Sequence, residues 1–464
     1  MRRNLAILAL LPALAACAVG PDYRAPDVTP AATFRNVDPS TTAPRPAAEW
    51  WRGFNDPVLD ALEARALAQN LDLAQAVARV KQARAGAQAA TAALLPAAQA
   101  DVQPAIARQS LVGANGAFSH FPGYQRDASL YDVTAGASWE LDLFGGLRRQ
   151  NEAARADYQA AKADAAAARM MVCADVADAY VQLRGDQQRL ALALDQTRID
   201  AQLIDLVRLR FRVGQAARRE VDSAEASLAQ AQATVPALRI AVEAQLNRLA
   251  VLTGQAPEAE RGALEAPAPV PTPPPLGAGQ PADLLRTRPD LTAAERRLAA
   301  ANARIGAAIS DYYPKISLQG LMGYESTATG NLFSGAAGES QSALGIKWRL
   351  FDFGRVDAEV ASAKGRDAEA LAAYRQAALR AAEDVENALA ARLQRQDQAS
   401  RLHEAQAALA RSRQASQDAY AAGTLSLLEV IDADRQLLQT QDAAAQADAD
   451  LARASVALVR ALGG

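Results

Sequence analysis

The sequence predicts an α+β protein built from two internal repeats, in which each repeat combines long α-helices with a β-hairpin. The first observation is a duplicated segment. "GQAARREVDSAEASL" at 214–228 resembles "GTLSLLEVIDADRQL" at 423–437, with matched residues 209 positions apart (423 − 214 = 209). The second is a change of apolar pattern within each copy, from alternation at every second residue to long proline-free segments. Repetition over such a distance indicates duplicated supersecondary structure.

The repeat extends over most of the chain. "WELDLFG" at 139–145 matches "WRLFDFG" at 348–354 with the same offset (348 − 139 = 209). Upstream of the tryptophans the offset is 218, because Pro96 matches Pro314 (314 − 96 = 218). The first copy therefore has nine additional residues between its proline and its tryptophan (218 − 209 = 9), which we place in a surface loop.

Alternating apolar and polar residues predict two strands in each copy. The predicted strands cover residues 101–112, 131–143, 316–324 and 344–350. The first is the weakest, because it contains Pro104. Trp139 and Trp348 lie near strand ends, which fits an interfacial aromatic belt or an ordinary core position. Four strands cannot close a barrel, whose smallest common form has about eight, so other chains must complete it.

A long helix follows each predicted hairpin. No proline occurs over 146–213 or 355–422, and a helix of either length would extend about 100 Å at about 1.5 Å per residue. Each helix ends at a glycine, Gly214 or Gly423, which suits the left-handed conformation that reverses a chain. Each copy is thus predicted to contain a long helical hairpin.

Shorter helices are predicted before the strands, over 57–95 and 289–313. Asp56 and Pro57 form a helix start, an N-cap acid followed by proline in the first turn. We expect these helices to stack end to end with the shorter return helices of the hairpins. The proline-rich segment 266–281 joins the two copies.

The N-terminus predicts export and lipidation. A basic start and an apolar run lead to "LAAC" at 14–17, which resembles the lipobox of bacterial lipoproteins. We expect Cys17 to be lipidated and to become the first mature residue, with a plain secretory signal as the alternative. Ala18 after the cysteine favours the outer membrane.

Composition and motifs argue against several other functions. The net charge is −3 and no basic cluster stands out, so nothing favours binding to nucleic acid. Cys173 is expected to pack as a small hydrophobic residue, and His120 and His403 are isolated, so no metal site is predicted. No nucleophile elbow or phosphate loop appears, and we predict neither enzymatic activity nor a cofactor.

Four segments carry a family resemblance: "CAVGPDYRAP" at 17–26, "WWRGFNDPVLDAL" at 50–62, "LLRTRPDLTAAERRLAAANARIGAAISDYYPKISL" at 284–318 and "FDFGR" at 351–355. They resemble the signature segments of the TolC/OprM family of outer-membrane factors, in its NodT-type lipoprotein branch. The resemblance covers essentially the whole mature chain. It implies a membrane channel formed by a homotrimer, with a 12-stranded outer-membrane β-barrel, four strands per protomer, continuous with a 12-helix periplasmic α-barrel.

The resemblance also implies partners and a function. The expected partners are a periplasmic adaptor (membrane fusion protein), an inner-membrane pump of the resistance-nodulation-division type, and outer-membrane lipid. The expected function is passive conduction of drugs or other small molecules to the exterior. Two alternatives remain at this point: an export duct of a type I protein secretion system, and a lipid-anchored coiled-coil scaffold without a pore.

Site residues are carried over from the family to matching positions. Glu429 and Asp432 match the pore-facing acids of the periplasmic gate, although helix N-terminal acids are the simpler interpretation from spacing alone. Glu220 and Tyr420 match residues whose contacts hold the channel closed. Leu425 replaces an arginine of that latch, with Arg218 or Arg219 as possible substitutes. The adaptor-docking tips match six residues: Val213, Gly214, Gln215, Gly423, Thr424 and Leu425.

These expectations define nine segments. They are the signal peptide 1–16, the lipidated equatorial segment 17–56, first-repeat helices 57–95, the first β-hairpin 96–144, the first long helical hairpin 145–255, the proline-rich linker and equatorial region 256–288, the second-repeat helix 289–313, the second β-hairpin 314–353, and the second helical hairpin with the C-terminus 354–464.

Overall fold

A computed structural model describes residues 18–27, 33–36, 48–259 and 261–464. Cys17 lies outside the described residues. The helices are α1 (Pro57–Gln69), α2 (Leu71–Ala92), α3 (Gly146–Arg212), α4 (Arg218–Leu252), a single turn Leu284–Thr287, α5 (Pro289–Ser310), α6 (Arg355–Ala421) and α7 (Leu427–Leu462). The strands are β1 (Ala97–Arg108), β2 (Asp127–Leu141), β3 (Lys315–Ser326) and β4 (Gly338–Lys347).

The two long helices, α3 and α6, begin at the predicted residues and end within one residue of the predicted ends. Each contains 67 residues. No helix in the described part of the chain is both long and apolar enough to cross a membrane.

The segment 57–95 contains two helices, α1 and α2, separated by a break in the helical backbone. The break is at Asn70, which has extended backbone angles (φ −62°, ψ 130°). Its side-chain oxygen accepts hydrogen bonds from the backbone N–H groups of Asp72 and Leu73, at 2.9 and 3.0 Å. Its side-chain amide donates to the Leu252 carbonyl at 2.9 Å. Asn70 therefore ends α1 and caps α2, because its side chain competes with the helical backbone for hydrogen bonds.

The structure divides into two compact units. One comprises residues 81–160 and 294–374 with the described part of 1–26, and it contains an antiparallel sheet of order β1-β2-β3-β4. β1 begins four residues before the predicted strand, and Pro104 is accommodated because β1 is an edge strand. β4 ends at Lys347, three residues before the predicted end.

The repeat is preserved in the sheet unit down to individual hydrogen bonds. The indole of Trp139 donates to the Leu94 carbonyl at 2.9 Å, and that of Trp348 donates to the Tyr312 carbonyl at 3.0 Å. The donors are 209 residues apart (348 − 139) and the acceptors 218 (312 − 94). Both tryptophans are partly exposed, 37% and 55%, so neither is an ordinary core residue. The nine additional residues fall in the connection between β1 and β2, as predicted.

The other unit comprises residues 161–293 and 375–464 with the described part of 27–80. Its apolar core includes Trp50, Trp51, Leu59, Tyr180 and Leu183. Residues 266–280 of the linker have no regular secondary structure. The buried Arg184 holds the start of this segment by donating to the Ala266 carbonyl at 2.7 Å.

Candidate functional site

The turns that end the long helices have the same backbone geometry in both copies. Gly214 and Gly423 each have a φ of 74°, in the left-handed region that favours glycine. The N–H of Gln215 donates to the Arg210 carbonyl at 2.8 Å, and the N–H of Thr424 donates to the Ala419 carbonyl at 3.0 Å. These hydrogen bonds span five residues and satisfy the last carbonyls of each helix.

The six predicted docking residues occupy these turns. All of them are exposed except Leu425, which is half-buried. A side chain added at Gly214 or Gly423 would meet no atom of this chain within 4 Å. Both turns are therefore accessible at the surface of this chain.

An acidic residue caps the N-terminus of each return helix, α4 and α7. The Glu429 carboxylate accepts hydrogen bonds from the backbone N–H and the hydroxyl of Ser426, at 3.0 and 2.7 Å. These bonds lower the pKa of Glu429. Glu220 accepts from the N–H of Ala217 at 3.3 Å, but Ala217 has no hydroxyl to add a second bond. Glu220 and Glu429 therefore both cap their helices, and the cap of the second copy has one more hydrogen bond.

Three predicted site residues, Glu220, Glu429 and Asp432, line one cleft between the starts of α4 and α7. The cleft has a volume of about 490 Å³. Its lining residues are Val207, Glu220, Ser223, Ala224, Ala226, Ser227, Gln230, Leu428, Glu429, Ile431, Asp432 and Arg435. The structure thus brings acids of the two repeats together in one cleft.

Arg435 is a cleft residue that the sequence analysis missed. It donates to the Asp432 carboxylate at 2.6 Å, and Gln436 donates to the same carboxylate at 2.9 Å. Within the described part of the chain, Glu429 and Glu220 form no such ion pair. The cleft carries three carboxylates and one guanidinium, so its lining has a net charge of −2 (−3 + 1).

Tyr420 is bound by an arginine other than those considered from the sequence. Arg210 of α3 donates to its hydroxyl at 3.1 Å. Its ring packs on a small apolar cluster formed by Ile204, Val207, Val221 and Ala224. Arg218 instead pairs with Asp222 of its own helix at 3.0 Å. Arg210 therefore links the end of α3 to the end of α6.

Further charged contacts hold α3 against α7. Arg189 binds Asp442 through two nitrogens, at 2.7 and 3.1 Å, and Arg453 binds Asp178 in the same manner, at 2.8 and 3.2 Å. Bidentate pairs fix the relative position of two helices better than single contacts.

Another acid on α3, Asp200, is buried and only 4% exposed. Its burial raises the pKa of its carboxyl group.

The comparisons with known proteins concern nearly the whole chain. A family described as "Outer membrane efflux protein" matches residues 62–255 and 281–464. The chain is 32% identical over 467 residues to the pyoverdine export outer membrane protein OpmQ of Pseudomonas putida, covering 100% of this chain and 97% of that protein. It is 31% identical over 483 residues to the toluene efflux pump outer membrane protein TtgF of Pseudomonas putida, with coverage of 100% and 97%.

Solved structures give the same result for the fold. The outer-membrane channel OprN superposes with a TM-score of 0.86 at 36% identity, covering 97% of this chain and 99% of that one. The open state of the MtrE outer membrane channel of Neisseria gonorrhoeae superposes with a TM-score of 0.84 at 32% identity, covering 97% and 98%.

Proposed function

The chain belongs to the outer membrane efflux protein family, and from this premise we propose that it is the outer-membrane duct of a tripartite export system. In this function it conducts drugs or other small molecules passively, as a homotrimer. A duct lowers no chemical barrier, so the function needs no catalytic residue and no cofactor. The proposal rests on a four-stranded sheet whose two edge strands have no partner among the described residues, in a chain that superposes on outer-membrane channels.

The trimer is supported by the number of strands. The described part of one chain supplies four strands, which is too few for a barrel, whereas three copies would supply twelve. One face of the sheet exposes large apolar side chains, among them Val102, Met322, Leu344 and Ile346 at 64 to 69% exposure. Such a face suits contact with lipid.

The partners follow from the proposed duct. We assign a periplasmic adaptor and an inner-membrane pump of the resistance-nodulation-division type, because passive conduction needs an energised component elsewhere. Relatives named for pyoverdine export and for toluene efflux support small molecules as the cargo.

The proposed function is tested by reconstitution. Purified protein in detergent should cross-link chemically to a three-chain species, and the same preparation should produce ion conductance in planar bilayers. A scaffold without a pore would give no conductance. A monodisperse monomer with intact strand signal in circular dichroism would contradict the trimer.

We also propose that Cys17 carries a lipid anchor. The structure supports a fixed position for the following segment, because buried Arg149 donates to the carbonyls of Val19 and Gly20 and to the Asp22 carboxylate. The Cys17→Ser variant should lose labelling by fatty-acid analogues but keep some protein in the outer membrane through its strands. Unchanged labelling of this variant would overturn the assignment.

The exposed turns are proposed as the adaptor-docking surface. Gly423→Asn tests this role, because asparagine tolerates the left-handed backbone and its side chain would enter open space in this chain. We expect an export loss of about tenfold with normal trimer levels, as one lost docking contact of about 1.4 kcal/mol would produce. Gly123→Asn is the matched control, since Gly123 also has positive φ and open surroundings but lies between β1 and β2. Reduced trimer with Gly423→Asn would instead indicate a purely structural turn.

A further inference from the structure

Asp200 is a buried acid between the two long helical hairpins, α3 with α4 and α6 with α7, and it is 4% exposed. We propose that Asp200 is a proton-controlled gating residue of the duct. When its carboxyl group is neutral, α3 packs against α7. When the group is ionised, its repulsion from the Asp434 carboxylate separates the two helices. This inference rests on the proposed function and adds the group that would regulate opening.

Each helix around Asp200 places a polar group beside it. On α3, the Gln196 side-chain amide donates to its Oδ1 at 2.8 Å. On α4, the Ser227 hydroxyl hydrogen-bonds to the carboxylate, and on α7 the Asp434 carboxylate repels it. On α6, Arg413 binds Asp434. Within the described part of the chain, the only cation of this group is therefore bound to Asp434, and Asp200 has no ion pair of its own.

The internal repeat indicates that packing does not require an acid at this position. The residue that corresponds to Asp200 in the second copy is Leu409 (200 + 209 = 409), which is half-buried on α6. Burying a carboxylate without a paired cation costs stability, whereas burying leucine adds to it. An acid where an apolar side chain can pack indicates a role other than stability.

Loss of the Asp200 proton is expected to favour separation of the helices. Burial is the largest cause of its raised pKa, and repulsion from Asp434 adds to the rise. The packed state therefore retains the proton at pH values at which an exposed aspartate is ionised. Separation of α3 from α7 would admit water to the carboxylate and move it away from Asp434. Rising pH should thus shift the protein towards the separated state.

The position of Asp200 suits control of the hairpin ends. Arg210 lies ten residues later on α3 and binds the Tyr420 hydroxyl of α6, so movement of α3 would strain this contact. Asp200 is buried by its own chain, so residues of another copy have little access to its carboxyl group. The proposed control therefore acts within each copy, between its two hairpins.

The pH dependence of opening tests this inference. Full-length trimers would be recorded in planar bilayers between about pH 4 and about pH 8. The wild type should be open at least about fivefold more often at the upper pH, the change expected from one unit of like-charge repulsion at about 4 Å in water. Asp200→Asn cannot ionise and should lose most of this rise. Glu429 and Asp432 are the same in both proteins, so the difference between the two profiles isolates Asp200.

Two further variants define the outcomes. Ser227→Ala keeps the acid but removes a hydrogen bond that favours its ionised form, so opening should shift to higher pH, which a purely structural role would not produce. Asp205→Asn is the matched control, because it removes an exposed acid of the same helix and should keep the wild-type profile.

Equal pH profiles for the wild type and Asp200→Asn would overturn the gating role of Asp200. If Asp200→Asn does not assemble, an unshifted profile of Ser227→Ala would overturn it instead. Absence of conductance from the wild type at every pH would contradict the proposed function itself.

Discussion

Replacing Glu63 with glutamine is expected to remove most of the pH dependence of unfolding between about pH 5 and pH 8. Glu63 is fully buried on α1, with 0% exposure, beside the thiol of Cys173. Burial raises the pKa of Glu63 to about 8 from its ordinary value of 4.5. The nearby Asp60 carboxylate adds to the rise, and the Cys173 thiol offsets part of it.

Proton binding at Glu63 determines whether the free energy of unfolding rises or falls with pH. Between pH 4.5 and about 8 the folded chain retains a proton at Glu63 that the unfolded chain has lost. The free energy of unfolding therefore falls as the pH rises, by about 1.4 kcal/mol for each pH unit and by about 3 to 5 kcal/mol over the whole interval. Glutamine does not titrate, so the Glu63→Gln variant should gain stability over the wild type progressively up to about pH 8.

The measurement is the urea midpoint of both proteins at pH 5, 7 and 9. Asp60→Asn is the matched control, because it removes an acid one turn away on the same helix and leaves Glu63 in place. This control should keep most of the pH dependence. Parallel midpoints for the wild type and Glu63→Gln across the pH range would show that Glu63 is not the titrating group.

Most of the fold could be predicted because its determinants are local in the sequence. Glycines at 214 and 423 end the long helices, and alternation identifies the strands. The break at Asn70 was not predictable, because its side chain caps α2 while bound to the distant carbonyl of Leu252. The early end of β4 also depends on a neighbour, since a strand is defined by its partner as much as by its own residues.

The site was predictable only in part. The family resemblance led to Glu220, Glu429 and Asp432, and the structure places all three in one cleft. Arg210 and Arg435 were missed, although Arg435 lies three residues after Asp432, a spacing at which helical side chains meet. The burial of Glu63 was not predicted either, because it arises only when α3 packs against α1.

Removing charge from the cleft is expected to lower the cation selectivity of the reconstituted channel in proportion to the charge removed. The lining carries −2 in each copy, from Glu220, Glu429, Asp432 and Arg435. Glu429→Gln reduces this to −1, Glu429→Gln with Asp432→Asn brings it to 0, and Arg435→Gln makes it −3. Glutamine at 429 can still accept the hydrogen bonds from Ser426, so this variant removes the charge and keeps the helix cap.

The expected change in cation selectivity follows from the Coulomb energy of one charge in water. A unit charge about 4 Å from a permeating ion changes its free energy by about 1 kcal/mol, which is roughly a fivefold change in local ion concentration. The ratio of cation to anion permeability in planar bilayers should therefore decrease in the order Arg435→Gln, wild type, Glu429→Gln, double variant. Block by multivalent cations should follow the same order, and salt should weaken all of these differences.

Tyr420→Phe separates closure from selectivity in the same recordings. It removes the hydroxyl that accepts from Arg210, a contact that we propose holds the ends of α3 and α6 together in the closed state. Conductance should rise because that closed state is loosened, while the permeability ratio should stay near the wild-type value because no charge changes. Equal selectivity in all the charge variants would place Glu429 and Asp432 outside the ion path, and would leave Glu429 only its role in capping α7.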